Sequence, residues 1–91
     1  MQTVFRVPEG VISEVLDGEA VLLHLESGKY FGLNASGARM WALLSQHGDP
    51  QATFQALQAE FPNVAADQLR ADLDEFVDAL LARGLVAQGG R

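Results

Sequence analysis

The chain has 91 residues, of which 48% are hydrophobic, and it contains no cysteine. This length predicts one domain, and the lack of cysteine excludes disulfides, thiolate metal sites and a cysteine nucleophile. Twelve acidic residues against six basic ones give a net charge of −6. Because proteins bind nucleic acids largely by neutralising phosphates with lysine and arginine, this balance argues against a nucleic-acid partner.

The N-terminal segment predicts one short strand. Residues 3–7 carry β-forming side chains, and Pro8 and Gly10 interrupt the pattern after them. The pattern leaves open which sheet edge this strand would cover. No apolar run here is long enough for a signal peptide, and no segment reaches the ~20 apolar residues of a membrane span. We therefore expect a cytoplasmic protein with no membrane partner.

A first hairpin is predicted around Asp17-Gly18. This dipeptide separates residues 11–16 from residues 19–25, and both of its residues tolerate the positive φ that a two-residue type I′ turn requires. The strand over residues 19–25 is apolar at nearly every position. Such a run is typical of a middle strand that neighbouring strands and helices cover.

A second hairpin is predicted around Ser27-Gly28, with Glu26 as a possible further loop residue. It leads into a short strand over residues 29–33, which completes a three-stranded antiparallel meander. As the last strand, this segment has one side with free N–H and C=O groups. An extended peptide can pair with such an edge.

Two helices are predicted directly after the meander. Asn34 or Ser36 can cap the first, which ends near Gly48, and Asp49-Pro50 supplies a cap and a first-turn proline for the second. The inward residues of the first helix are Met40, Trp41 and Leu44. A tryptophan in such a stripe is typically a core residue.

A third helix is predicted over residues 65–83, with Gly84 as its stop. Its apolar stripe consists of Leu69, Leu73, Phe76, Val77, Leu80 and Leu81. Residues 87–91 are expected to be a frayed tail. Strands followed by three helices predict an α+β domain of the winged helix-turn-helix type, a single domain over residues 1–91 with its core in residues 11–86.

The sequence carries no recognisable catalytic apparatus. His24 and His47 are isolated, and no serine stands in a G-x-S-x-G context. Asp74 and Asp78 lie one helical turn apart, but oxygen-ligand metal sites usually need a loop around the ion, so a solvated helix face is the better interpretation. We expect no enzyme activity, no metal and no cofactor.

The last meander strand, residues 29–33, is weakly protected for an edge. Only Lys29 blunts it, whereas Tyr30, Phe31 and Leu33 are apolar or aromatic and Gly32 allows close backbone approach. Alternation places Tyr30 and Gly32 on one face and Phe31 and Leu33 on the other. From the residues alone, an ordinary water-facing edge and a peptide-binding edge are equally good interpretations.

The segment DGEAVLLHLESGKYFGLNASGARMWALL, followed by two helices and a closing RGLV, resembles the PqqD family of leader-peptide-binding proteins, also called RiPP recognition elements. The resemblance covers residues 11–86 and is most specific in KYFGLN and GARMW. It implies a winged-helix domain without chemistry. Such a domain holds the leader of a ribosomally made precursor as an added strand and presents the precursor to a modifying enzyme.

The resemblance also implies the partners and the site. The segments DGEAVLL and YFGLN look closer to lasso-type and orphan members of the family than to PqqD proper. In lasso-peptide pathways the implied enzyme is a leader peptidase that works with a cyclase. In the pyrroloquinoline quinone pathway it is a radical-SAM protein. The leader would lie along the last meander strand and against the third helix. The implied peptide-binding residues are Lys29, Tyr30, Phe31, Gly32, Leu33, Leu69, Arg70, Leu73 and Phe76.

Two further expectations accompany the resemblance. Acidic residues of the third helix, together with Arg70, could rim the groove and favour a leader with basic residues. The alternative functions are a winged-helix transcription factor, against which the scarcity of basic residues argues, and a homodimer paired through the same edge.

Overall fold

The computed structural model describes residues 4–89 of the chain. Five strands and three helices follow one another as β1 (Val4–Arg6), β2 (Val11–Leu16), β3 (Glu19–His24), β4 (Lys29–Leu33), α1 (Ala35–His47), α2 (Pro50–Glu60), α3 (Ala66–Ala82) and β5 (Ala87–Gly89). Thr3 of the predicted first strand and residues 90–91 of the predicted tail lie outside the described residues.

The predicted meander is confirmed. β2, β3 and β4 form one antiparallel sheet in that order. Asp17 and Gly18 both adopt positive φ, at 54° and 80°, which allows the tight turn between β2 and β3. The second connection takes the longer form, because β3 ends at His24 and residues 25–28 form the turn.

Within residues 4–89, helices cover one face of this sheet and leave the other open, so the expectation that β3 is covered on both faces is wrong. Ala20 and Leu22 point into the core and are buried, whereas Val21 on the opposite face is 38% exposed. The apolar residues of β3 therefore alternate between the buried core and the exposed outer face of the sheet. The inward positions build the core, and the outward positions form an apolar sheet surface.

Local capping signals position the helices as predicted. The Asn34 side chain accepts a hydrogen bond from the Gly37 backbone N–H at 2.9 Å, which resolves the first cap in favour of Asn34. Gly48 ends α1 in the left-handed conformation, with φ 73°. Asp49 caps α2 by accepting from the Gln51 N–H. Among the described helices, none has the length and apolarity that crossing a membrane requires.

The core lies between the inner sheet face and the three helices. Trp41 is buried as expected, with 4% of its surface exposed. The largest side chains with almost no exposed surface are Leu22, Leu44, Leu57, Leu73 and Leu85. Each of the three helices and the sheet thus contributes a side chain to one apolar cluster.

The two ends of the described chain form a second, two-stranded sheet. β1 pairs antiparallel with β5, with Phe5 opposite Gln88. The buried side chains of Phe5, Leu85 and Val86 fix both segments to the core, and the Phe5 N–H donates to the Gly48 carbonyl at 2.6 Å. The expectation of a frayed tail is therefore wrong for Ala87–Gly89, and the N-terminal strand covers neither edge of the meander.

Candidate functional site

An open groove runs between β4 and the C-terminal half of α3. Its volume is about 430 Å³. From β4 it is lined by Tyr30, Phe31, Gly32 and Leu33, and from α3 and the following turn by Phe76, Ala79, Leu80, Arg83 and Leu85. Apart from Arg83 and the Tyr30 hydroxyl, these side chains offer only apolar surface.

The pleat of β4 sorts its residues as the sequence predicts. Phe31 lies opposite Leu22 of β3, and Leu33 lies opposite Ala20, on the inner face. Both are half-buried and pack against the core. Tyr30 lies on the outer face and is 73% exposed, so its aromatic side chain stands free beside the edge of the sheet.

The far side of β4 carries no paired strand within residues 4–89. β4 pairs with β3 on one side only, because β1 has gone to β5 in the other sheet. An edge strand in this position presents unpaired N–H and C=O groups to an incoming chain. These groups run beside the groove, so one extended peptide could reach both the main-chain edge and the apolar floor.

Basic side chains gather at the start of β4. The Arg83 guanidinium lies over the Phe31 ring, 5.4 Å from its centroid. Lys29, His24 and Arg83 line a depression that adjoins the groove at Phe31. Ser27 lines the same depression, and its Oγ lies 3.0 Å from His24 Nδ1.

Acidic side chains lie at the opposite end, beyond Phe76. Asp72 and Glu75 line a second depression together with Asn34 at the start of α1. This depression shares Phe76 and Ala79 with the groove, so the two are continuous. Asp72 accepts a hydrogen bond from the Gln68 amide at 2.8 Å. In the part of the chain that the structure describes, no cluster of three or more His, Asp or Glu side chains could hold a metal ion.

Four of the nine predicted site residues do not line the groove. Lys29 lines only the adjoining depression, and the other three belong to the N-terminal half of α3. Leu69 and Leu73 are buried in the core, at 4% and 0% exposure. Arg70 faces α2, where its guanidinium lies 4.1 Å from the centre of the Phe54 ring and donates to the Gln51 side-chain carbonyl at 2.8 Å. The N-terminal half of α3 thus packs against the rest of the helical layer, and its C-terminal half forms the wall of the groove.

The groove includes residues that the prediction missed. Ala79 and Arg83 follow Phe76 at intervals of three and seven residues, which places all three on one helix face. That spacing was visible in the sequence. The sequence does not single out Ala79, because alanine adds little to an apolar stripe, and the stripe places Leu80 on the inward face without showing that it lines a groove.

Comparisons with known proteins agree on one family and one architecture. The family model described as coenzyme PQQ synthesis protein D (PqqD) matches residues 19–86. The solved structure of TbiB1 in complex with the TbiA(beta) leader peptide superposes with a TM-score of 0.84 at 36% identity, covering 94% of this chain and 99% of that one. Lasso peptide synthetase B1 complexed with its leader peptide gives a TM-score of 0.80 at 26% identity, with 91% and 96% coverage. None of the curated proteins matches the chain.

Proposed function

The chain belongs to the PqqD family, and from this we propose that it binds the leader segment of a ribosomally made precursor peptide and delivers it to a maturation enzyme. Within the family it stands closer to the lasso-type members, as its likeness to the two B1 proteins indicates. Both of those proteins were solved with a leader peptide. The domain itself would perform no chemistry.

One observation carries the proposal: an apolar groove runs along an unpaired strand edge. A leader that adds to β4 would exchange main-chain hydrogen bonds with Lys29–Leu33, and these bonds fix its register. Every second leader side chain would point into the groove, against Phe76 and Ala79. The main-chain bonds would supply sequence-tolerant affinity, and the groove would supply selectivity.

The residues of the predicted site divide into two roles under this proposal. Lys29, Tyr30, Phe31, Gly32, Leu33 and Phe76 would touch the leader, together with Ala79 and Arg83. Leu69 and Leu73 would hold α3 at the distance from β4 that keeps the groove open, because both are buried in the core. Arg70 would only stabilise the packing of α3 on α2, through its contact with Phe54, and would not shape the groove.

The proposed enzyme partner is a leader peptidase that works with a cyclase. The likeness to lasso peptide synthetase B1 supports this choice over a radical-SAM enzyme. Co-purification of this chain with the peptidase and with the radical-SAM enzyme, each in the presence of leader, would discriminate between the two. Retention of the radical-SAM enzyme alone would contradict the choice.

The proposal is tested by calorimetry with two synthetic halves, leader and core, of any short precursor encoded beside the gene. The leader half should bind with a negative heat-capacity change, because apolar surface is buried in the groove. The core half is the matched control and should give no heat. Binding of the core half, or of neither half to a folded sample, would contradict the proposal.

A second candidate is an edge-paired homodimer. The uncovered β4 edge and the 73% exposed Tyr30 favour it, since an unpaired strand can pair with its own copy. Such a dimer would occupy the same edge as the leader. Light scattering at rising protein concentration should then show a dimer that the leader dissociates.

A further inference from the structure

We propose that the groove selects its peptide by the order of charges along it, with a basic residue preceding an acidic one by four positions. This inference rests on the proposed function and assigns the substrate class of the same site. The basis is the opposite charge of the two depressions that continue the groove at its ends. Between them the lining is apolar.

The end of the groove at the start of β4 is positive. Arg83 and Lys29 both line it, with His24 alongside. The described acidic residues do not contribute to the lining there. A peptide carboxylate at this end would meet two full positive charges. The stacking of Arg83 over Phe31 would hold one of them in place.

The other end of the groove is negative, because Asp72 and Glu75 line it. The start of α1 lies at the same place, and a helix N-terminus carries roughly half a positive charge. The Asn34 side chain already accepts a hydrogen bond from one of the free N–H groups of α1. The negative charges of the two carboxylates exceed the remaining partial positive charge of the helix N-terminus. A peptide ammonium or guanidinium is therefore favoured at this end.

The direction of the peptide follows from the sheet. β3 and β4 are antiparallel, and antiparallel pairs outnumber parallel ones roughly two- to three-fold. An added antiparallel strand would begin near Leu33, at the acidic end, and finish near Lys29, at the basic end. The basic residue of the peptide would thus come first in its sequence.

The spacing follows from α3. Glu75 and Asp72 precede Arg83 by eight and eleven residues, or about 12 and 16 Å along a helix. An extended peptide covers that distance in about four to five residues. Side chains on one face of a strand recur at even intervals, so four is the spacing that points both charges into the groove. The residue midway between them faces the apolar lining.

The test is a selection from a random twelve-residue peptide library on the immobilised protein. Peptides that also bind the Ala79→Gln variant, in which the longer side chain occupies the groove, are discarded as independent of the groove. The remaining peptides should be enriched in Lys or Arg four positions before Asp or Glu, with an apolar residue midway. Each charge should change the affinity by about two- to fivefold, as exposed ion pairs do, and the effect should shrink at high salt.

The same selection on an Asp72→Asn/Glu75→Gln double variant serves as the matched control. It should lose the enrichment of the basic residue and keep that of the acidic one. Groove-dependent peptides with the reverse order, or with no charge order, would overturn the inference and leave the leader-binding function standing. A selection that yields no groove-dependent peptide would contradict the proposed function, and the inferred charge order would be contradicted as well.

Discussion

Filling the groove from α3 should abolish most leader binding without harming the fold. Ala79 lines the groove at the centre of its helix wall, and an Ala79→Gln side chain would extend into the space that a leader residue needs. Burying one aliphatic side chain stabilises a complex by about 1.5–3 kcal/mol, so the loss of that pocket should raise Kd by about ten- to 150-fold. Calorimetry with the precursor leader measures this change.

Ala71→Gln is the matched control for this variant. Ala71 also lies on α3 but is exposed and does not line the groove. Both substitutions cost a few tenths of a kcal/mol in helix propensity, which lowers Tm by less than about 4 °C in a domain of this size. If Ala79→Gln bound the leader as tightly as Ala71→Gln does, the groove would not be the side-chain pocket of the site.

Three further substitutions separate the core from the groove. Leu73→Ala should destabilise the protein by about 2–5 kcal/mol in urea unfolding, because it leaves a cavity at a fully buried position; a loss below 1 kcal/mol would contradict the core assignment. Arg70→Ala should leave the leader Kd unchanged and lower stability by about 0.5–1 kcal/mol, the typical contribution of a contact such as that with Phe54. If this variant bound the leader more weakly, Arg70 would have to be counted among the leader-binding residues. Asn34→Ala should cost about 1 kcal/mol in thermal unfolding because it removes the α1 cap, and an unchanged Tm would argue against that cap.

Local signals in the sequence were sufficient to predict the meander and the helices. The Asp17-Gly18 turn depends on two adjacent residues that both take positive φ. The caps at Asn34 and Asp49 depend on side chains that bond two or three residues ahead. The conformations of this turn and of these caps depend on interactions among a few neighbouring residues, so they can be predicted without knowing the surrounding fold.

The pairing of β1 with β5 could not be predicted in the same way. Each strand has three residues, too few to show an alternating pattern, and their partners lie at opposite ends of the chain. What joins them is the burial of Phe5, Leu85 and Val86 in a shared core. That burial is a tertiary effect, and its consequence for the site is that the β4 edge stays uncovered by β1.

The groove lies beside α3, the helix on which the wall was predicted, but nearer to its C-terminus than most of the predicted stretch from Leu69 to Phe76. A stripe of apolar residues shows which face of α3 is inward, yet it does not show which part of that face meets another helix and which part faces open space. The packing of α2 against α3 places Leu69 and Leu73 in the core and leaves the stretch from Phe76 to Arg83 beside β4. The position of α2 therefore decides where the groove lies.

A titration of the labelled protein with the precursor leader, followed by backbone amide shifts, tests the central claim most directly. The account predicts large shifts at Lys29–Leu33 and from Phe76 to Arg83. It also predicts slow hydrogen exchange at those β4 amides that bond the added strand, and small shifts from Leu69 to Leu73. Shifts confined to the outer sheet face around Val21, with unchanged exchange at β4, would contradict strand addition.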